Sequence, residues 1–204
     1  MMPLVLPWDA EETPYQLLRA LETGRTVIFP TDTVYGLGGN PWDERVLARV
    51  RTLKDRDSSL PFTLHVASKA ALSRYANLSP ENQRRVEIVL PGPYTALLPA
   101  TGAAPRSAVQ RETVGIRWPD HPLFAQVVGA IDRPVFGTSV NRHGEPPLSD
   151  PIDIIDTFSS VDLIITGPVG AASSAIIDFT GTEPRCLRGT VPSELAQRLG
   201  LQTS

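Results

Sequence analysis

The chain has 204 residues, 41% of them hydrophobic and 20% charged, with 19 Lys and Arg against 22 Asp and Glu and a net charge of -3. These values fit one domain of ordinary globular composition; the acidic balance does not announce a nucleic-acid binder, although a local basic patch is compatible with it. The single cysteine, Cys186, excludes an internal disulfide and a CxxC site, three scattered histidines argue against structural zinc, and no apolar run approaches the ~18 residues of a membrane span.

The opening "MMPLVLPWDAEE" lacks the basic segment and apolar core of a secretory signal, so a cytoplasmic location is expected. Thr13-Pro14 ahead of "YQLLRALETG" reads as a cap and first-turn proline of a helix closed by Gly24. "TVIFP" is a strand, followed by Thr31, Asp32, Thr33 and Tyr35 and then by Gly36, Gly38 and Gly39, which read as a permissive loop. "DERVLARVRTLK" is a helix capped by Asp43, with Val46, Leu47, Val50 and Leu53 on one face. "PFTLHV" reads as a strand, and "KAALSRYA" and "PENQRRVEIVL" read as helices. "YTALLPA" and "TVGIRW" are strands, "HPLFAQVVGAI" a helix and "PVFGTSV" a strand. The helix "PIDIIDTF", the strands "VDLIIT", "SAIIDF" and "RCLR", and the helix "PSELAQRLG" complete the chain. No repeat and no long linker appears, so residues 1–204 are expected to form a single α/β domain. Strands that follow one another directly favour a mixed sheet over a regular doubly wound one.

"GLGG" at Gly36 to Gly39 fails as a dinucleotide-binding fingerprint, because Asn40-Pro41-Trp42 follows where the third glycine belongs. No Walker-type loop, HExxH or GxSxG occurs. Four polar groupings remain, each with a plain structural alternative. The hydroxyls and carboxylate at 31–35 suit a ligand wall, or a capped turn. Lys54 and Arg56 can grip a polyphosphate, or answer the dipole of the helix end. Thr138, Ser139 and Asn141 stand after a strand, where α/β sheets bind ligands, or simply turn into the Gly144–Pro147 loop. His65, Arg117, Ser174 and Arg188 lie in strand-like runs, where a buried arginine needs an anionic partner.

The order of these segments is distinctive. "FPTDTVYGLG", "LKDR", "PFTLHV", "LPGPYTALLPAT", "TVGIRWPDHP", "TSVN", "SAIIDF" and "LRG" occur as in the YrdC-domain family, which the chain resembles from about Pro14 to Gly189. The best-known members of that family are threonylcarbamoyl-AMP synthases. The resemblance implies a twisted mixed α/β sheet with flanking helices around a large, concave, basic cavity. It implies a nucleotidyltransferase reaction that joins L-threonine, bicarbonate and ATP into threonylcarbamoyl-adenylate and pyrophosphate, the product serving tRNA-modification proteins downstream. It places the family's catalytic pairs on Lys54 with Arg56 and on Ser139 with Asn141. It adds Thr113, Ser149 and Arg188 as ATP contacts. Thr33, Tyr35, His65, Arg117 and Ser174 would surround the threonine, with Arg117 on its carboxylate. No protein metal site is implied, Mg2+ being carried with ATP.

Asp57, Leu60, Val140 and Ala175 depart from the family's usual residues, and "PFTLHV" and "GPYTALLPAT" resemble a sister branch of unassigned activity. Two alternatives accompany the synthase expectation. One is an RNA- or nucleotide-binding paralogue, with a weak tRNA or RNA contact through Arg45, Arg49, Arg51, Lys54 and Arg56. The other is a carbamoyl-transfer relative with another acceptor.

Overall fold

A computed structural model describes residues 2–142 and 144–201; His143 lies outside them. The strands are β1 (Leu4–Pro7), β2 (Val27–Phe29), β3 (Gly36–Gly39), β4 (Thr63–His65), β5 (Tyr94–Pro99), β6 (Val109–Gln110), β7 (Thr113–Arg117), β8 (Val135–Ser139), β9 (Leu163–Thr166), β10 (Ala175–Asp178) and β11 (Arg185–Arg188). The helices are α1 (Thr13–Glu22), α2 (Glu44–Lys54), α3 (Lys69–Tyr75), α4 (Pro80–Val89), α5 (Pro122–Ile131), α6 (Pro151–Thr157) and α7 (Ser193–Leu199). The strands form one mixed sheet in the order β1-β9-β2-β3-β8-β4-β7-β5-β10-β11, with β6 paired to β7.

Alternation along the strands decides which faces are covered. At the β2 end of the sheet, Val27 and Phe29 pack under α1 and α5 with Leu17, Leu21, Phe124 and Val127. Ile28 points the other way, to α2 and α6 with Leu47, Val50, Ile154 and Phe158. Helices therefore cover both faces there. Across β4, β7, β5 and β10, Leu64, Ile116, Ala96, Leu98 and Ile177 join the α3, α4 and α7 side chains Leu72, Val86, Val89 and Leu199 in a third cluster. The residues between them on the same strands face the opposite way. That uncovered face is the floor of a cavity.

The helix signals hold where a side chain can reach an amide. Asp43 accepts from the Arg45 and Val46 amides at the start of α2, and Ser79 from the Asn82 amide at the start of α4. Thr13 differs from expectation. It lies within the first turn of α1 rather than at its cap, and its hydroxyl donates instead to the Pro7 carbonyl at 2.7 Å.

The glycine run also differs from the expected loop. Gly36–Gly39 is a fully buried strand, antiparallel to both β2 and β8. A Cβ on Gly38 would stand 1.7 Å from the Phe136 carbonyl oxygen, so the glycine serves close approach of strands rather than of a ligand. Strand β1 was not expected; its Leu4 and Val5 are largely exposed at the sheet edge, where they leave little alternation to read.

Candidate active site

A cavity of about 340 Å³ lies on the uncovered face, lined by Arg56, Arg117, Arg188, His65 and Ser139 among others, with no aspartate or glutamate among the described residues of its lining. Its floor follows from strand register. Ile176 on β10 pairs Thr95 on β5, Thr95 pairs Arg117 on β7, and Arg117 pairs His65 on β4. One step along the strands, Thr63 stands opposite Gly137 and Leu97 opposite Gly115. These alternate residues point into the cavity while their neighbours fill the core. Thr63 and Thr95, which were not singled out from the sequence, line it as well. Each stands in strand alternation with a site or cavity residue, His65 or Leu97, and that spacing was the available signal.

Arg117 has the buried anion that a strand arginine requires. Its Nη2 forms a close ion pair with Asp32 Oδ1 and donates to Thr31 Oγ1 at 3.2 Å. Burial lowers the affinity of this guanidinium for its proton, and the Asp32 carboxylate opposes that effect. Beside it, His65 is buried, packed edge-to-face with Phe29 and against Phe124, with Nδ1 unpartnered among the described residues. Burial, reinforced by the Arg117 charge, pulls the imidazole down to about 3, so it is neutral near pH ~7. A Cβ at position 137 would stand 2.5 Å from the His65 ring, so Gly137 leaves that ring its place.

Lys54 and the turn after β8 meet directly. The Lys54 Nζ donates to Ser139 O at 2.5 Å, to Asn141 O at 2.8 Å and to Asn141 Oδ1 at 2.8 Å. An ammonium has three N–H donors, and these acceptors use all of them. Lys54 is only 2% exposed and is absent from the cavity lining. Burial, and then the nearby Arg56 charge, bring it down to about 8. Ser139 donates its hydroxyl to Asn141 Oδ1 at 2.6 Å, and the Asn141 amide donates to the Arg142 and Glu145 carbonyls. Arg56 sits at the cavity wall, donating to Pro61 O at 2.9 Å and lying 5.4 Å over the Phe62 ring.

The opposite wall holds Ser174, whose hydroxyl bonds Thr95 Oγ1 at 2.8 Å, and Arg188, which donates to Ser174 O at 3.0 Å. Tyr35 is part of the cavity wall, but its side chain packs in the core under α2 and α6 and its hydroxyl is held by the Gly167 carbonyl and amide. Burial raises this phenol above its ordinary range. Thr33 is buried against Thr31 behind the wall. Of the expected contacts, Thr33, Lys54, Thr113, Asn141 and Ser149 do not line the cavity. Thr113 donates to Gln110 O at the far end of β7, and Ser149 is exposed ahead of α6. The departure at Ala175 falls outside the cavity lining; its side chain packs beneath Gly189.

The basic series considered for RNA is engaged within the molecule. Arg45 pairs with Asp43, Arg49 with Asp162, and Arg51 lies 5.1 Å over Phe62. Among the described residues no cluster of three or more His, Cys, Asp or Glu is arranged to hold a metal, and no helix is long and apolar enough to cross a membrane.

The Sua5_yciO_yrdC family, described as "Telomere recombination", matches residues 19–190. The chain belongs to the Sua5/YciO/YrdC family. It is 33% identical over 186 residues to a protein of Pyrococcus abyssi named threonylcarbamoyl-AMP synthase, which covers 88% of this chain but only 54% of that protein. A protein of the same name from Vibrio vulnificus is 33% identical over 160 residues, covering 76% of this chain and 86% of that one. Among solved structures, P. abyssi Sua5 complexed with L-threonine superposes with a TM-score of 0.83 at 28% identity, over 98% of this chain and 61% of that one. The Sua5/YciO/YrdC fold thus accounts for the mixed sheet and its flanking helices.

Proposed function

We propose that this protein is a threonylcarbamoyl-AMP synthase, forming threonylcarbamoyl-adenylate and pyrophosphate from L-threonine, bicarbonate and ATP. The observation that carries the reading is the meeting of Arg56, Arg117 and Arg188 on one cavity whose lining, among the described residues, has no carboxylate. Such a site suits substrates that are all anionic or zwitterionic.

The chemistry needs little from a nucleophilic side chain. The threonine amine attacks bicarbonate carbon to give a carbamate and water. A carbamate oxygen then attacks the α-phosphorus of ATP, and the bond from that phosphorus to the bridging oxygen breaks to release pyrophosphate. Negative charge gathers on both the entering and leaving oxygens, so fixed cations and positioning lower the barrier. In this reading Arg56 and Arg188 meet the phosphates, Arg117 receives the threonine carboxylate, and Ser139 and Ser174 offer hydroxyls. His65, neutral in its buried setting, serves as a hydrogen-bonding wall rather than an acid. Lys54 acts by shaping the Ser139–Asn141 turn. Mg2+ would enter bound to the triphosphate, because the lining offers cations and not an anionic oxygen set; it would neutralise charge on the leaving pyrophosphate. The adenylate would pass to proteins that modify tRNA.

The test is incubation with ATP, L-threonine and bicarbonate, following pyrophosphate and the adenylate by mass. Omitting either threonine or bicarbonate should abolish product. Turnover supported only by another amine or by carbamoyl phosphate would point to a carbamoyl-transfer relative. RNA binding that weakens steeply with salt, without ATP turnover, would replace the enzyme reading altogether.

A further inference from the structure

We propose that Asp32 is a positioning residue for Arg117, fixing its guanidinium in the pose that selects amino acids carrying a free α-carboxylate. This inference rests on the synthase reading and adds to it a residue that touches no substrate. Arg117 lines the cavity; Asp32 does not. The ion pair joins side chains only 6% and 13% exposed, so it lies in a setting where geometry matters more than it would in water.

Two acceptors hold the same nitrogen. Nη2 is bonded by Asp32 Oδ1 and by Thr31 Oγ1, so the guanidinium can neither swing nor rotate without losing both. The acceptors are themselves fixed. Thr31 donates its hydroxyl to the Val34 carbonyl at 2.6 Å and its oxygen accepts from the Thr33 amide at 3.2 Å as well as from Arg117, so its hydroxyl is held in place. The Asp32 backbone is packed so closely that a Cβ on Gly170 would stand 2.7 Å from its carbonyl oxygen. The carboxylate engages the arginine through Oδ1, and its Oδ2 has no hydrogen-bond partner among the described residues. With both Nη2 hydrogens committed to Asp32 and Thr31, Nη1 is left to donate to a ligand, and a charged carboxylate is a stronger acceptor for it than a neutral amide.

Asp32→Ala, Asp32→Asn and Thr31→Val variants of the full chain test this, with KM measured separately for L-threonine and ATP and binding of L-threonine and L-threoninamide measured by calorimetry. Asp32→Ala should raise the threonine KM about ten-fold or more while the ATP KM stays within about two-fold. Asp32→Asn retains an oxygen acceptor for Nη2 and should recover part of that loss. Thr31→Val should shift threonine binding in the same direction by less, and it carries the test if Asp32→Ala does not fold. Threoninamide should bind weakly to every form. An unchanged threonine KM in the variants, or a parallel rise in both KM values as expected from a general loss of structure, would overturn the inference. A wild-type protein that binds ATP but no threonine would overturn the synthase reading and this inference together, a result visible before any variant is made.

Discussion

Lys54 Nζ and Asn141 Oδ1 stand 2.8 Å apart, joining the last residue of α2 to the turn that follows β8. The two sequence pairs expected to share a triphosphate are therefore in contact with each other, and the lysine is the inner member. Because its three donors are taken by oxygens of residues 139 and 141, its removal takes a donor from the Ser139 and Asn141 carbonyls in a part-buried place, while Asn141 Oδ1 keeps the Ser139 hydroxyl.

Lys54→Met should destabilise the fold by about 2 kcal/mol or more, since a buried charged donor with several acceptors is lost. Urea unfolding measures this directly. Activity should fall as well, through the displaced Ser139 turn. A variant as stable as wild type would show that the lysine's hydrogen bonds are dispensable to the fold.

Much of this arrangement was legible in the sequence. The apolar runs of β2, β4, β5, β7 and β8 announced strands, and Asp43 and Ser79 announced helix starts, because those signals are local. Tertiary packing decided the rest. Gly36–Gly39 reads as a loop by propensity, yet it pairs on both edges inside the sheet, where side chains would strike Phe29, Phe136 or Val46. Arg56, Arg117, Ser139, Ser174 and Arg188, drawn together by the order of motifs, line one cavity. It could not distinguish a residue that lines that cavity from one that braces it, because Lys54 and Arg56 are two positions apart and differ only in which way the helix end turns them.

Gly38→Ala should be strongly destabilising, because the added methyl would meet the Phe136 carbonyl oxygen at 1.7 Å and backbone cannot yield as a flexible side chain does. A loss of roughly 3 kcal/mol or more, or failure to fold, is expected, at the upper end of overpacking effects. Gly102→Ala is the control, since its Cβ would meet nothing within 4 Å. Equal thermal midpoints for the two variants would refute the close-approach account of β3.

His65 makes acid sensitivity a local property. Folded, it stays neutral down to about 3, whereas the unfolded residue titrates near its ordinary 6.5. The unfolded chain thus binds the extra proton in that window, so this group's contribution to stability is lost progressively as pH falls from 6.5 towards 3. Urea midpoints at about pH 7 and about pH 4 should fall less in His65→Gln than in wild type. Identical falls would mean that the imidazole does not carry the effect.

Arg56 offers the clearest separation of wall from brace. It lines the cavity and lies over Phe62, whereas neighbouring Lys54 lies outside the lining. Arg56→Gln should therefore remove a fixed cation from the phosphates at little cost in stability. The expected loss in kcat/KM is about 10²-fold, the scale for deleting one preorganised group aimed at developing charge. The threonine KM should move little, because Arg117, and not Arg56, is assigned to the carboxylate. Lys54→Met should show the reverse balance, with stability and activity falling together. If Arg56→Gln instead unfolds as readily as Lys54→Met, or raises the threonine KM as much as the ATP KM, the division between a phosphate wall and a structural brace is wrong, and Arg56 must be counted as part of the fold.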